Sequence, residues 1–108
     1  MKKIKLSLIA GTLFTASILA NTAHAVIDRG TMLANTCAAC HGVNGISQGD
    51  IPSIAGLPKN SIIATMNAFS SGNRPSTVMQ RIAKGYSEAD IEALADHFSK
   101  LPSIVSTK

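Results

Sequence analysis

The most informative motif in this sequence is Cys37-Ala38-Ala39-Cys40-His41. Two thiols three positions apart, with an imidazole directly after the second, have the spacing at which both thiols bond covalently to one haem. The chain contains two cysteines in total, so no other thiol competes for this role. The motif therefore predicts one covalently attached haem c, bound through Cys37 and Cys40, with His41 as a ligand of its iron.

Residues 1–25 have the pattern of a secretory signal peptide. Three lysines precede an uncharged, mostly apolar run, and Ala23 and Ala25 provide the small residues that a signal peptidase recognises. A retained membrane anchor is the alternative, although the run is short and is interrupted by polar residues. We expect cleavage after Ala25, which would leave residues 26–108 as a single domain in the periplasm, with no association with the membrane.

The charge of the chain gives no indication of a nucleic-acid partner. The formal net charge is +4, from ten Lys and Arg residues and six Asp and Glu residues. Three of the ten cations lie in the predicted signal peptide, so the mature domain is close to neutral and keeps no basic cluster. A domain of this size buries little core on its own, and a haem would supply the missing apolar surface.

The hydrophobic pattern predicts an all-α domain of helices separated by loops rich in glycine and proline. A first helix is expected over residues 28–39, capped by Asp28, with Met32, Leu33 and Thr36 facing inward. Its last turns place both thiols on the same side, because helical residues three apart are neighbours.

Three further helical segments are predicted after a loop over residues 42–58. The second helix starts near residue 58 or 60 and ends at Gly72, and one or two turns follow between residues 76 and 84. The last helix begins after Ser87, with Asp90 in the capping-box position. Apolar residues at helical spacing predict the buried faces of the second and last helices: Ile62, Ile63, Met66 and Phe69, then Ile91, Leu94, Ala95, Phe98 and Leu101.

A haem iron can bind a second axial ligand from the protein, and four residues are candidates. A methionine thioether is a common second ligand in haem electron carriers. Met79 is favoured because enough chain separates it from His41 to return to the opposite face of the ring. Met66 lies on a predicted buried face, Met32 is too near the attachment motif, and His97 is a lone helical histidine. With both axial positions filled, the protein would transfer single electrons and would not be an enzyme.

Other classes of protein also use these residue types. A thiol–disulfide protein would use Cys37 and Cys40, but it requires alternating strands and helices that the pattern lacks. A structural zinc site would combine both cysteines with His41 and His97, although adjacent residues rarely bind one ion together. A haem sensor or enzyme would leave the second axial position open for gas or peroxide.

The sequence resembles class I c-type cytochromes over essentially the whole predicted mature chain. Besides the attachment motif, Gly30 lies at the position of the glycine where the first and last helices of that family cross, and residues 51–56 are similar to its proline-containing loop. The resemblance implies the class I cytochrome c fold. It also implies that the Pro52 carbonyl accepts a hydrogen bond from the ring N–H of His41, and that Met79 is the distal iron ligand.

The last helix departs from the family pattern at one position. Residues 94–98 are similar to the final-helix motif of the family, but His97 stands where an aromatic ring usually packs over the crossing glycine.

Residues 79–87, with the sequence MQRIAKGYS, resemble the haem subunit of flavocytochrome c sulfide dehydrogenases. That resemblance implies a role in sulfide oxidation, in which the chain accepts electrons from a flavoprotein that oxidises sulfide. The alternative role is that of a free electron carrier that diffuses in the periplasm.

Overall fold

The computed structural model describes residues 27–104, which form four α-helices and no β-strand. The predicted all-α class is confirmed, whereas the predicted signal peptide lies outside the described residues. No helix within residues 27–104 combines the length and apolar character needed to cross a membrane. The helices are α1 Arg29–His41, α2 Lys59–Ser71, α3 Met79–Ala83 and α4 Glu88–Ser99, and a short 3-10 turn, Val43–Gly45, follows α1.

The α1 helix begins where the sequence predicts but continues two residues further. The carboxylate of Asp28 accepts a hydrogen bond from the backbone N–H of Thr31 at 3.1 Å, which caps the first turn. The helix ends at His41 because Gly42 adopts a φ of +84°, which favours glycine. A Cβ atom at Gly42 would lie 1.9 Å from the carbonyl oxygen of Ile46, so only glycine fits this sharp exit.

The predicted inward face of α1 was partly wrong. Leu33 packs against the core, but Met32 is 60% exposed and Thr36 is also exposed. The buried positions are instead Gly30, Ala34 and His41. The cause is the position at which α4 crosses α1. The face of α1 that contains Gly30 and Ala34 contacts α4, so Met32 and Thr36 point away from that contact.

The helices α1 and α4 are in close contact at Gly30. A Cβ atom there would lie 2.5 Å from the carbonyl oxygen of Ala93 and 3.1 Å from the Cβ of His97. The Nδ1 of His97 lies 3.1 Å from the Oγ1 of Thr31, and its ring meets that of Phe98 edge-on, with centroids 5.2 Å apart. His97 therefore adds a hydrogen bond between the helices at this crossing.

Two small clusters form the core of residues 27–104. The predicted apolar faces of α2 and α4 are confirmed, since both supply these clusters, except that Leu101 packs on the core from beyond the end of α4 at Ser99. In the first, α1 packs on α4 through Ala34, Leu94 and Phe98. In the second, α2, α3 and α4 meet through Met66, Ala83 and Ile91.

A capping box and an ion pair fix the start of α4. The Ser87 side chain accepts a hydrogen bond from the backbone N–H of Asp90, and the Asp90 carboxylate accepts one from the backbone N–H of Ser87, both at 3.2 Å. The guanidinium of Arg29 also donates to the same carboxylate and so connects α1 to α4. This hydrogen bond with Arg29 holds the pKa of Asp90 below its ordinary value of 3.8.

We expect Gly30→Ala to lower the free energy of unfolding of the holoprotein by about 1–2 kcal/mol. Overpacking against the Ala93 backbone outweighs the roughly 0.5–1 kcal/mol by which Ala is favoured over Gly inside a helix. Urea denaturation measures the change. The control is Asn35→Ala on the exposed side of α1, which should leave stability unchanged or slightly higher; equal effects of the two variants would contradict a close crossing at Gly30.

We expect Asp90→Asn to lower stability at neutral pH and to flatten its decline in acid. A carboxyl with a lowered pKa stabilises the fold above its unfolded-state pKa, and this contribution is lost as pH falls below 3.8 through the lower folded-state value. Urea midpoints from pH 7 to pH 2 measure the effect. Glu88→Gln, in the same first turn but without an ion pair among residues 27–104, is the control and should keep the acid decline of the wild type.

Candidate haem-binding site

The two predicted attachment residues lie on the last turns of α1. Cys37 is half-buried and packs against the cluster formed by α1 and α4, while Cys40 is exposed. Both thiols are free, and no disulfide joins them. Cys40 also borders a cleft of about 320 Å³ that lies between α1 and the loop at residues 47–51. Both sulfur atoms are therefore available for covalent bonds to a ligand placed beside α1.

Burial raises the pKa of the Cys37 thiol above its ordinary value of 9.0. A Cys-Xaa-Xaa-Cys pair that exchanges disulfides requires the opposite, because the thiolate is the nucleophile and a lowered pKa produces it. The environment of Cys37 therefore argues against the thiol–disulfide alternative, as does the absence of strands within residues 27–104.

The ring of His41, the last residue of α1, is buried and has a fixed orientation. Its Nδ1 lies 2.6 Å from the carbonyl oxygen of Pro52, as the resemblance implied. A carbonyl oxygen can only accept, so Nδ1 carries the proton and donates it. In the neutral ring, Nε2 then keeps its lone pair, which is the state that binds a metal ion.

Backbone hydrogen bonds within the loop hold Pro52 in place. The carbonyl oxygen of Gly45 accepts from the backbone N–H groups of Ile54 and Ala55, at 2.8 and 3.1 Å. The side chain of Ser53 accepts from the backbone N–H of Ser47 at 2.9 Å. The loop therefore folds back on itself and presents the Pro52 carbonyl to His41 from a fixed position.

Met79, the favoured second ligand, is the first residue of α3. Its side chain is half-buried against the cluster formed by α2, α3 and α4. The Oγ of Ser76 accepts hydrogen bonds from the backbone N–H groups of Met79, at 3.1 Å, and Val78, at 3.3 Å. Sequence reasoning missed Ser76, although a serine three residues before a helical position is a common capping spacing.

The other candidates for the second axial position have different surroundings. Met66 is buried within the core cluster of α2, and Met32 is exposed on α1 itself. The ring of His97 is engaged by Thr31 and Phe98 at the helix crossing. Of the four candidates, Met79 is the one that is half-buried and lies on a separate short helix.

The donor set within residues 27–104 fits a haem better than a zinc ion. Zinc requires four ligands in structural sites, and no three His, Cys, Asp or Glu side chains are grouped for a metal in this range. Several large apolar side chains in the same range remain exposed, among them Met32, Val43 and Ile51, so apolar surface is available for a further group to cover. Two free thiols, an oriented imidazole and a thioether are the groups that attach haem c and bind its iron.

Comparison with known proteins gives the same indication. The family model of cytochrome c matches residues 27–102. The cytochrome subunit of sulfide dehydrogenase from Chlorobaculum tepidum is 44% identical over 74 residues, which are 68% of this chain and 67% of that protein. The thiosulfate dehydrogenase electron acceptor of Thiomonas intermedia is 39% identical over 70 residues, covering 63% of this chain and 32% of that protein.

A relative of similar size matches over nearly all of its length. Cytochrome c-554(547) of Halothiobacillus neapolitanus is 33% identical over 82 residues, covering 66% of this chain and 90% of that protein. The family match spans the helices described above, including the attachment motif and α4. This chain therefore belongs to the cytochrome c family, binds haem c covalently and transfers electrons.

Proposed function

We propose that this chain is a periplasmic single-haem cytochrome in which Cys37 and Cys40 attach the haem and His41 and Met79 bind its iron. We further propose that it is the haem subunit that accepts electrons from a sulfide-oxidising flavoprotein. The observation that carries the site assignment is the hydrogen bond from His41 to Pro52, directly after the two thiols.

The Pro52 carbonyl gives His41 two properties that an iron ligand needs. Accepting the proton of Nδ1 fixes the tautomer, so Nε2 keeps its lone pair for the metal. The same hydrogen bond makes Nε2 a stronger base and fixes the plane of the ring. The attachment residues then place the bound group at the end of α1 where this nitrogen is available.

When bound, haem c supplies one-electron chemistry at its iron. Met79 would occupy the second axial position, so that no position remains for gas or peroxide. A thioether ligand raises the reduction potential, which suits an acceptor of electrons. Ser76 supports this assignment, because it fixes the backbone of Met79 at the start of α3.

The finer role rests on the relatives and on residues 1–25. Similarity to the cytochrome subunit of sulfide dehydrogenase supports a partner that oxidises sulfide, and the signal-peptide pattern supports the periplasm. A free diffusible carrier is the second candidate, favoured by the match to a cytochrome along 90% of that protein's length.

The charges around Met79 support docking to an acidic partner surface. Residues 72–87 contain Arg74, Arg81 and Lys84 and no acidic residue, and none of these cations has an ion pair within residues 27–104. The other three Lys and Arg residues within residues 27–104 each pair with an acidic residue on α4. Residues 72–87 form the basic segment, which also includes the exposed side chains of Val78 and Ile82.

We expect the ferric wild-type holoprotein to show the far-red absorption band of methionine bound to iron, and the ferrous form not to bind carbon monoxide. Met79→Ala should abolish the band and permit carbon monoxide binding, because the sixth position opens. Met66→Leu is the control: it should keep the band and cost less than about 1.5 kcal/mol, as a volume-conserving core change.

Two results would contradict this assignment of ligands. Loss of the band in Met66→Leu, with its survival in Met79→Ala, would make Met66 the ligand. An intact mass equal to the bare polypeptide, from cells competent in cytochrome maturation, would reject covalent attachment through Cys37 and Cys40.

We expect reduction by the anionic complex Fe(II)–EDTA to slow about tenfold between low and physiological ionic strength, since local positive charge attracts this reagent. The double variant Arg81→Glu/Lys84→Glu should remove this dependence on ionic strength. It should also speed reduction by hexaammineruthenium(II), which is a cation. Stopped-flow absorbance measures the rate of reduction by each reagent.

The matched control for the ionic-strength experiment is Lys59→Glu/Lys100→Glu, which makes the same change in net charge at cations paired with α4. If both double variants alter the rates equally, net charge alone governs encounter. The proposal that the basic segment is the docking surface would then be wrong.

A further inference from the structure

The residues proposed to bind the iron lie on two helices, α1 and α3, that do not pack extensively on each other. Both cysteines and His41 are on α1, which packs on α4, whereas Met79 is on α3, which packs on α2. The two helices must nevertheless keep a fixed separation if both axial ligands are to remain bound. The packing of α2 on α4 connects the two helix pairs, and a contact made between the end of α3 and α1 would fix their separation more closely.

Tyr86 makes such a contact. Its backbone N–H donates to the carbonyl oxygen of Ala83, the last residue of α3, at 3.2 Å. Its side chain packs against both core clusters. Its hydroxyl oxygen lies 2.9 Å from the Oγ1 of Thr36 on α1, next to Cys37. Tyr86 therefore joins the end of α3 to the helix that carries the attachment motif.

The direction of this hydrogen bond follows from the available protons. The single hydroxyl proton of Thr36 is donated to the carbonyl oxygen of Leu33, at 2.7 Å. Thr36 can then only accept, so the Tyr86 hydroxyl donates to it. The acceptor is itself held by the backbone of α1, so Tyr86 meets a fixed point on that helix.

We propose that Tyr86 is a positioning residue for the iron site, whose hydrogen bond to Thr36 fixes α3 relative to α1 and would thereby keep Met79 in place as the distal ligand. The proposal rests on the assignment of Met79 as distal ligand. Removing the hydroxyl leaves the ring packing in place but lets α3 move relative to α1. The sulfur of Met79 then competes less well with other ligands for the sixth position.

The test measures how tightly imidazole displaces methionine from the ferric holoprotein, by titration of the far-red band. In Tyr86→Phe the imidazole association constant should rise about two- to tenfold, the range expected for loss of one hydrogen bond. Thr36→Val should give a similar rise, and Thr36→Ser, which keeps the hydroxyl, should restore the wild-type constant. The double variant Tyr86→Phe/Thr36→Val should show no further rise, because both changes remove the same bond.

The matched control is Thr31→Val, which removes a different side-chain hydrogen bond of α1, the one between Thr31 and His97 on α4. It should leave the imidazole constant unchanged. A Tyr86→Phe variant with a lower urea midpoint but a wild-type imidazole constant would overturn the proposal, and so would equal rises in Tyr86→Phe and Thr31→Val. Absence of the far-red band in the wild type would instead refute Met79 as the ligand, which distinguishes the two failures.

Discussion

The hydrogen bond between His41 Nδ1 and the Pro52 carbonyl is the constraint on which the rest of the site depends. It joins the end of α1 to a loop that folds back on itself, because the carbonyl oxygen of Gly45 accepts hydrogen bonds from Ile54 and Ala55. It also orients the ring and leaves Nε2 with its lone pair, as the proposed iron-binding nitrogen. The thiols precede this ring on the same helix, so one rigid element provides three of the four proposed contacts with the haem.

The fourth contact belongs to a different part of the molecule. Met79 lies on a five-residue helix whose position depends on packing against α2, on the Ser76 side chain and on the turn that contains Tyr86. Residues 72–87, which include this helix, also carry the three cations that have no ion pair within residues 27–104. The proposed distal ligand and the proposed docking surface therefore share one short stretch of chain, so a partner that binds there would contact the element that holds Met79.

Local patterns predicted much of the fold because their causes are local. The capping box of Ser87 and Asp90 marks the start of α4, and Gly72, in a left-handed conformation, ends α2 as expected. The inward face of α1 was predicted less well, since Met32 and Thr36 are exposed. Which stripe of a weakly amphipathic helix is buried depends on where its neighbour crosses it, and α4 crosses at Gly30.

The sequence by itself determined the family, the all-α class and the attachment motif, because two thiols and an imidazole at fixed spacing are sufficient to specify that chemistry. Only the tertiary structure decided that His97 binds Thr31 at the helix crossing and that Tyr86 reaches Thr36. The contacts of His97 and Tyr86 join residues that are 66 and 50 positions apart in the chain. No local periodicity encodes such pairs, since they form only when packed helices bring the side chains within hydrogen-bonding distance.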